Sequence, residues 1–427
     1  MKSETKNESI APGWQTTFRA FQSRPYRLLW AGNFLAYTSR WMQMIMLGWM
    51  VLELTDSPWL VALIGFFASA PLIILGLFGG MLADKMDRAK LLVFTQTITL
   101  VATIGMGLLL VLEKQQYWHA YIVSAVIGAG WAIDNPARRS LILDLVGRRW
   151  VTNGVALDSV GMQMSRMAGP AIGGGLVALV NLTGGYVVAS LAQITAVVVL
   201  LILNITTSPS VLKHNKVISD TSGTGILGEL AKTLKYAQRN TVILAVILIT
   251  IIMNFLLFPY GQMIPVIARD ELGVGPGLMG LLMSAEGLGA LSGGIVVASI
   301  HRLQYHGRVF AGGSALALFA LFWFSLSPWY ITSLPLLIIL GIGIGGFSTM
   351  QSTIVMLVST EEMRGKTLGV ITLAIGSGPL GSLMIGAIAT STDVLFAIRF
   401  NAILGLSILL IVVLLLPTIH KKITQMV

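Results

Sequence analysis

Between two long apolar runs the chain reads GGMLADKMDRAK, from Gly79 to Lys90. Backbone polar groups in lipid find no water, so an apolar run there must be helical and can turn only outside the hydrocarbon. A short charged stretch between two such runs is therefore a turn between membrane helices. Its residues suit that place. Gly80 lets two helices approach closely, Asp84 faces a helix end or a cation, and Lys85, Arg88 and Lys90 stay in the aqueous phase. Composition agrees: 55% of the 427 residues are hydrophobic, only 11% are charged, and mean hydropathy is +0.82. A soluble domain carries about 25% charged residues, so this is an integral membrane protein. Without cysteine it has no disulfide, thiolate nucleophile or thiolate metal site. Its five histidines never pair at metal-ligand spacing within one apolar run, so neither a metal nor a cofactor is expected.

A helix needs about 20 apolar residues to cross a bilayer. Spans are predicted near 28–54, 58–83, 91–112, 118–142, 153–180 and 185–207, then near 241–266, 276–300, 309–328, 331–358, 367–390 and 394–417. The expected division is an N-terminal segment 1–27, a six-helix bundle 28–207, a linker 208–240, a second bundle 241–417 and a tail 418–427. Trp14, Phe18 and Phe21 recur at helical spacing beside Arg19 and Arg24, which predicts an interfacial helix. The first apolar run is too long for a signal peptide and lacks a cleavage site. With the N-terminus inside, 23 of the 28 bases fall in cytoplasmic segments. Only Lys114 and Arg269 fall outside, while Arg40, Arg166 and Arg399 lie within spans. That asymmetry puts both termini in the cytoplasm. Bases spread over seven short segments do not form a nucleic-acid surface, so the +10 formal charge implies no nucleic-acid partner.

The chain also repeats itself. Glu53-Leu54, Pro58, Leu60 and Leu63 recur as Glu271-Leu272, Pro276, Leu278 and Leu281, at an offset of 218. Gly79-Gly80 recurs as Gly293-Gly294 at offset 214, and Gly154-Val155 with Gly161 as Gly369-Val370 with Gly376 at offset 215. Blocks at nearly one offset, in register with the spans, mean two halves repeated in the same membrane direction.

Several stretches carry a family resemblance. Gly79 to Lys90 resembles the signature loop between helices 2 and 3 of the major facilitator superfamily, with Asp87 replacing the usual glycine. Trp41-Met42-Gln43 through Trp49, Leu52 to Ser57, and Asn135-Pro136-Ala137-Arg138 followed by Asp144-Leu145-Val146 resemble its siderophore-exporter and macrolide-efflux branch. Gly169-Pro170-Ala171-Ile172-Gly173-Gly174 resembles the helix 5 antiporter motif, with Ser165 where that motif has glycine. The resemblance implies the major facilitator fold: all-α, twelve transmembrane helices, two six-helix bundles related by a pseudo-twofold axis around a central cavity. It also implies proton-driven export across the plasma (inner) membrane by a monomer. On the same pattern, Asp84 faces the start of helix 11 near Lys366-Thr367, with Arg138 or Arg139 nearby, and holds an outward-open state.

A charge at the bilayer centre costs at least about 2.5–3.5 kcal/mol on insertion scales, so each needs a reason. Asn33, Tyr37, Arg40 and Gln43 share one face of the first helix. Arg40 is either a cation facing the cavity for an acidic substrate group or half of an ion pair, with Asp134 its natural partner. Trp131, Asp134, Asn135 and Arg138 form a stripe on the fourth helix, where Pro136 predicts a kink. Arg138 and Arg139 read most simply as solvated at its end. Asp158 lies near the inner end of helix 5, and Arg166 on the same helix is expected to meet Glu286 of helix 8 across the bundle seam. Arg399 lies within two turns of the outer end of helix 12 and is expected to snorkel, so Arg40 and Arg166 against three carboxylates would leave one carboxylate short of a partner. Glu286 is then the expected proton carrier, with Asp134 and Asp158 as the other candidates. A static bridge is the competing reading. Asn254, Gln262 and Gln351 are further candidates for cavity hydrogen bonds, although interhelical bonding is the commoner role for such residues.

An enzyme is disfavoured because no catalytic constellation, phosphate loop or metal site appears. A scaffold is disfavoured because there is no extramembrane domain to grip. A transporter remains, either a proton-coupled exporter of an amphiphilic small molecule such as a drug or siderophore, or a facilitator or importer of a small organic solute without proton coupling. The topology has a direct check. With cysteines introduced in place of Lys114 and Lys216, a membrane-impermeant reagent added outside intact cells will label the first and not the second.

Overall fold

The computed structural model of the protein describes residues 18–207, 233, 235–300 and 304–422, with side chains described at all of these except 74, 76–85, 148, 361 and 362. These residues are helical almost throughout and include no strand. Helix α1 is Arg24–Thr55, α2 Pro58–Lys85 and α3 Arg88–Val111. A continuous helical stretch, Tyr117–Thr206, leaves helical dihedrals at Gly147 and again at Val180 and Asn181, giving α4 (117–146), α5 (148–179) and α6 (182–206). The second half follows with α7 (Thr241–Glu271), α8 (Pro276–Ser299), α9 (His306–Phe324) and α10 (Tyr330–Val358). Helix α11 comes in two pieces, Glu361–Ile375 and Gly378–Ser391, and α12 is Val394–Leu415. The described residues thus cross the bundle twelve times.

Local chemistry sets the ends of these helices. Asp87, standing where glycine was expected, is the N-cap of α3 and accepts from the Ala89 and Lys90 amides at 3.0 and 3.2 Å. Asn240 caps α7 and Asp393 caps α12 in the same way. The turn between α4 and α5 needs φ +73° at Gly147, which glycine adopts without steric cost. Pro136 does not interrupt α4: the dihedrals there stay helical, and the break falls eleven residues later. The linker 208–240 lies mostly outside the described residues, as does Trp14. Of the segment expected as an interfacial helix, the described residues form one short turn, Arg19–Gln22. The Phe21 ring packs on Tyr26 and Trp30, and the Ala20 amide donates to Asn153 at 2.9 Å. Phe18 beside Phe21 stays half-exposed.

Two features position the interior. First, α7 contains π-helical stretches at Met253–Leu257 and Ile267–Glu271, the first just before Pro259. A proline cannot donate to the ladder, and a π-turn absorbs the mismatch while re-aiming the side chains beyond it. Second, glycines let helices meet backbone to backbone. On α5, Gly169 and Gly173 face Trp41 and Met42 of α1, whereas Gly174 faces Gly280 and the Pro276 carbonyl of α8. Gly289 and Gly341 bring α8 onto α10, and Gly386 brings α11 onto Ala62 of α2. With no hydrophobic force between helices in lipid, such close approach is the main source of packing energy. Outward, large apolar side chains such as Leu179, Ile205 and Leu415 are exposed in a belt that suits lipid.

The α5–α8 seam offers a test. A Cβ on Gly280 would overlap the Pro170 carbonyl oxygen, whereas one on Gly175 meets nothing within 4 Å. Gly280→Ala should therefore destabilise the protein by about 1–3 kcal/mol. Gly175→Ala should leave it unchanged or slightly more stable. Thermal unfolding in detergent compares the two.

Candidate functional site

The helices enclose a central cavity of about 410 Å³. Helix α1 gives it Arg40 and Trp41, α4 gives Trp131, α5 gives Arg166 and Pro170, and α8 gives Glu286. The first π-turn of α7 adds Asn254, the stretch just beyond it adds Phe258, Tyr260 and Gln262, and the break in α11 adds Ile375, Gly378 and Ser382. Both halves of the repeat therefore wall one space.

Glu286 sits where the halves meet. One of its oxygens takes an ion pair from Arg166 of α5, and the other accepts from the Tyr260 hydroxyl of α7. The Arg166 guanidinium lies over the Trp41 ring, 5.4 Å from its centroid. The backbone explains the reach: Gly287 packs against Met167, so α5 and α8 cross at this depth. The Tyr260 hydrogen bond is not visible in the sequence, because 26 residues and a helix turn separate the two groups.

A second cluster lies in the first half, and here two expectations are corrected. Arg138 is not solvated. It is 2% exposed, and its Nη2 lies 3.1 Å from Asp134 one turn back on α4. The Asp134 carboxylate also accepts from Thr95 and Gln96 of α3, and Gln96 is held in turn by Gln193 of α6 at 2.8 Å. Asp134 is therefore paired with Arg138 and not with Arg40. Pro136 leaves α4 helical, so residues i and i+4 stay stacked and the pair forms within one helix. Arg138 also donates to Asn33, whose amide nitrogen donates to Asp158 at 2.8 Å, and the Tyr37 ring lies 5.2 Å from the guanidinium. With Arg399 turned to the Ser325 carbonyl at 3.3 Å near the end of α12, the cations inside the bundle are Arg40, Arg138 and Arg166, against Asp134, Asp158 and Glu286. The inference that one carboxylate outnumbers the cations no longer holds. Among the described residues, Asp158 is the one of the three acids without an ion pair within 4.0 Å.

Arg40 stands between the two clusters. Its guanidinium stacks on Trp131 at 4.3 Å, and it makes no hydrogen bond or ion pair among the described residues. It lines the main cavity and also a small polar pocket shared with Tyr37, Gln96, Asp134 and Arg138. Other candidates fall away from the cavity. Gln43 is fully buried and accepts from Thr103 on α3. Gln351 donates to the Thr250 hydroxyl at 2.9 Å, and Asn33 is consumed by Arg138 and Asp158. Asn254 and Gln262 do line the cavity.

Near the turn, Arg88 pairs with Asp144 at 2.6 Å, while Lys90 and Arg139 are exposed. Gly80 lies in α2, and the side chains of Asp84 and Lys85 fall outside those described. At the opposite end, Arg269 of α7 donates to the Leu52 carbonyl at 3.2 Å and pairs with Asp56 in the α1–α2 turn. That bridge ties the two halves together, and it was missed because Arg269 reads in sequence as an isolated surface base. No group of three or more His, Asp or Glu capable of holding a metal occurs among the described residues.

Comparison with known proteins gives a consistent result. The sequence model of a family described as transmembrane secretion effector matches residues 15–425. The staphyloferrin A transporter of Staphylococcus aureus is 24% identical over 391 residues, covering 89% of this chain and 93% of that protein. The uncharacterized MFS-type transporter YfiS of Bacillus subtilis is 24% identical over 241 residues, 56% of this chain and 55% of that one. Among solved structures, a bacterial homolog of the human lysosomal transporter Spinster, inward-facing and unoccupied, superposes with a TM-score of 0.64 at 15% identity, covering 96% of each chain. A POT family transporter bound to a thioalcohol-conjugated peptide gives 0.71 at 12% identity, covering 93% of this chain and 97% of that one. These likenesses establish the fold.

The corrected pairing has a measurable consequence. Removing one partner of a buried pair strands the other, at about 3–5 kcal/mol, whereas an exposed pair is worth about 0–1 kcal/mol. Asp134→Asn and Arg138→Gln should each sharply lower the unfolding temperature in detergent. The double variant should be more stable than either single one, because no bare charge remains.

Proposed function

The chain belongs to the transmembrane secretion effector family of the major facilitator superfamily, and from that premise we propose that it is a proton-coupled exporter of an amphiphilic small molecule, working by alternating access. That it is a multi-pass membrane transporter and not an enzyme follows from the family. Export, proton coupling and the nature of the cargo are the proposal. The relative that carries staphyloferrin A supports a siderophore-like cargo, and the mixed aromatic and polar cavity wall suits a drug or siderophore with an apolar body.

One observation carries the coupling: Glu286 is held by a cation that belongs to the other half of the repeat. Alternating access rocks one half against the other, so the α5–α8 contact is made in one state and strained or broken in another. Parted from Arg166, Glu286 would be a bare carboxylate in apolar surroundings, and uptake of a proton removes that charge. Reunion with Arg166 expels the proton. Tyr260 stays beside Glu286 throughout, since α7 and α8 lie in the same half, and it holds the carboxyl in place in both protonation states. Proton binding thereby becomes a function of conformation, which is what coupling requires.

The positive-inside rule orients the molecule, with the end bearing Arg88, Lys90 and Arg139 in the cytoplasm of the inner membrane. The Arg269–Asp56 bridge then lies on the outer side, where it would hold an inward-facing state closed to the outside. The α5–α8 and α2–α11 seams join the two halves within one chain, so the working unit is taken as the monomer.

Glu286→Gln mimics the protonated carboxyl permanently. In proteoliposomes with an imposed pH gradient, this variant should lose uphill movement of a cargo first identified by thermal shift across a siderophore and drug panel, while still binding that cargo. Uphill transport at the wild-type rate would remove Glu286 from the mechanism and favour Asp158 as carrier. Transport by both proteins that ignores the gradient would favour a facilitator or importer without proton coupling.

A further inference from the structure

The cavity charges are not balanced. Three charged side chains line it, Arg40, Arg166 and Glu286, and two of these neutralise each other. Asp134, which shares a small pocket with Arg40, is already engaged by Arg138, Thr95 and Gln96. Arg40 is therefore a cation with no carboxylate to satisfy it among the described residues. A guanidinium held near mid-membrane without a partner costs several kcal/mol, which packing against one aromatic ring offsets only in part.

Its placement is specific. The guanidinium carbon lies over the Trp131 ring, 4.3 Å from its centroid, and Arg40 lines the cavity with its buried Nη1 unpartnered. A planar fork of N–H donors, pre-set in orientation and free of competing acceptors, matches a carboxylate in bidentate geometry. Around it the wall is largely apolar, with Trp41, Phe258, Met283 and Pro265.

We propose that Arg40 is the anion-recognition residue of this cavity, and that the cargo is a carboxylate-bearing amphiphile whose acid group docks on Arg40 while its apolar body lies against Trp41 and Phe258. The assignment rests on the transport reading of the cavity and narrows it to a substrate class. It also explains why Arg40 needs no internal partner: the cargo supplies the missing charge. Arg166 does not compete for the acid while Glu286 holds it. Because Arg40 stays in the first half whatever Glu286 does, cargo recognition and proton coupling sit on different residues.

Isothermal titration of the purified full chain in detergent tests this, with 2-naphthoate and 4-biphenylcarboxylate as probes beside their neutral carboxamides. The wild type should bind each acid at least about tenfold more tightly than its amide, the scale of one charge-assisted pair. Arg40→Gln should erase the difference while leaving amide binding unchanged. Arg40→Lys, which keeps the charge but loses the fork, should keep only part of it. This second variant preserves the test if the first does not fold. Equal binding of acid and amide by the wild type overturns the proposal without any variant. So does a preference that is undiminished in Arg40→Lys or survives Arg40→Gln. A preference lost in Arg166→Gln but not in Arg40→Gln would move the anion to Arg166, against the proposal. The measurement uses no gradient, so its failure leaves proton-coupled transport standing. Failure of uphill transport likewise leaves acid recognition untouched.

Discussion

Hydrocarbon cannot solvate a charge, so each ionised side chain carried into this bundle must find an opposite charge, a set of hydrogen bonds or a ligand. Six such groups organise the interior. Asp134 and Arg138 solve the problem locally, one helical turn apart, with Thr95, Gln96 and Asn33 completing the shell. That cluster ties α1, α3, α4, α5 and α6 together through side chains alone. Its members face one another and not the cavity, which gives the first half a rigid polar core. Glu286 and Arg166 solve the same problem across the seam, so their solution depends on how the two halves sit. Arg40 is left with an aromatic face and open space.

These three solutions differ in what motion does to them. A pair within one helix survives any rigid-body displacement of that helix. A pair between halves does not, and it becomes a sensor of the displacement. An unpaired cation in a cavity responds instead to what enters. The same chemical constraint thus yields a structural element, a candidate coupling element and a candidate recognition element, and topology alone separates them.

Backbone chemistry makes the arrangement possible. Glycines at 169, 173, 174, 280, 287 and 289 let helices cross closely enough for short, charged bridges to span the seams. The π-turn of α7 and the break in α11 both open onto the cavity, where irregular backbone borders a polar space and not lipid. The Arg269–Asp56 bridge ties α7 to the α1–α2 turn at the end away from Arg88, Lys90 and Arg139.

Much of this was legible in the chain before folding. Apolar run lengths, the asymmetry of the bases and the repeat offsets determine an all-helical membrane bundle of two similar halves, since lipid permits no other way to satisfy the backbone. The glycine motif of α5 marked a close seam, and the depth of Arg166 and Glu286 marked them as facing partners. Other features needed the fold. Arg138 looked like an end-of-helix base because sequence gives depth only along one helix, not what neighbouring helices place over it. Gln43 and Gln351 looked available for the cavity because a helical face can be read from spacing, but not the helix that covers it. Tyr260 and Asp56 found their partners across distances no local pattern encodes. Sequence determined which residues must be buried and charged. Tertiary structure decided which charge meets which, because pairing in a low-dielectric interior is settled by contact distances between helices, and those are set by the packing of the whole bundle.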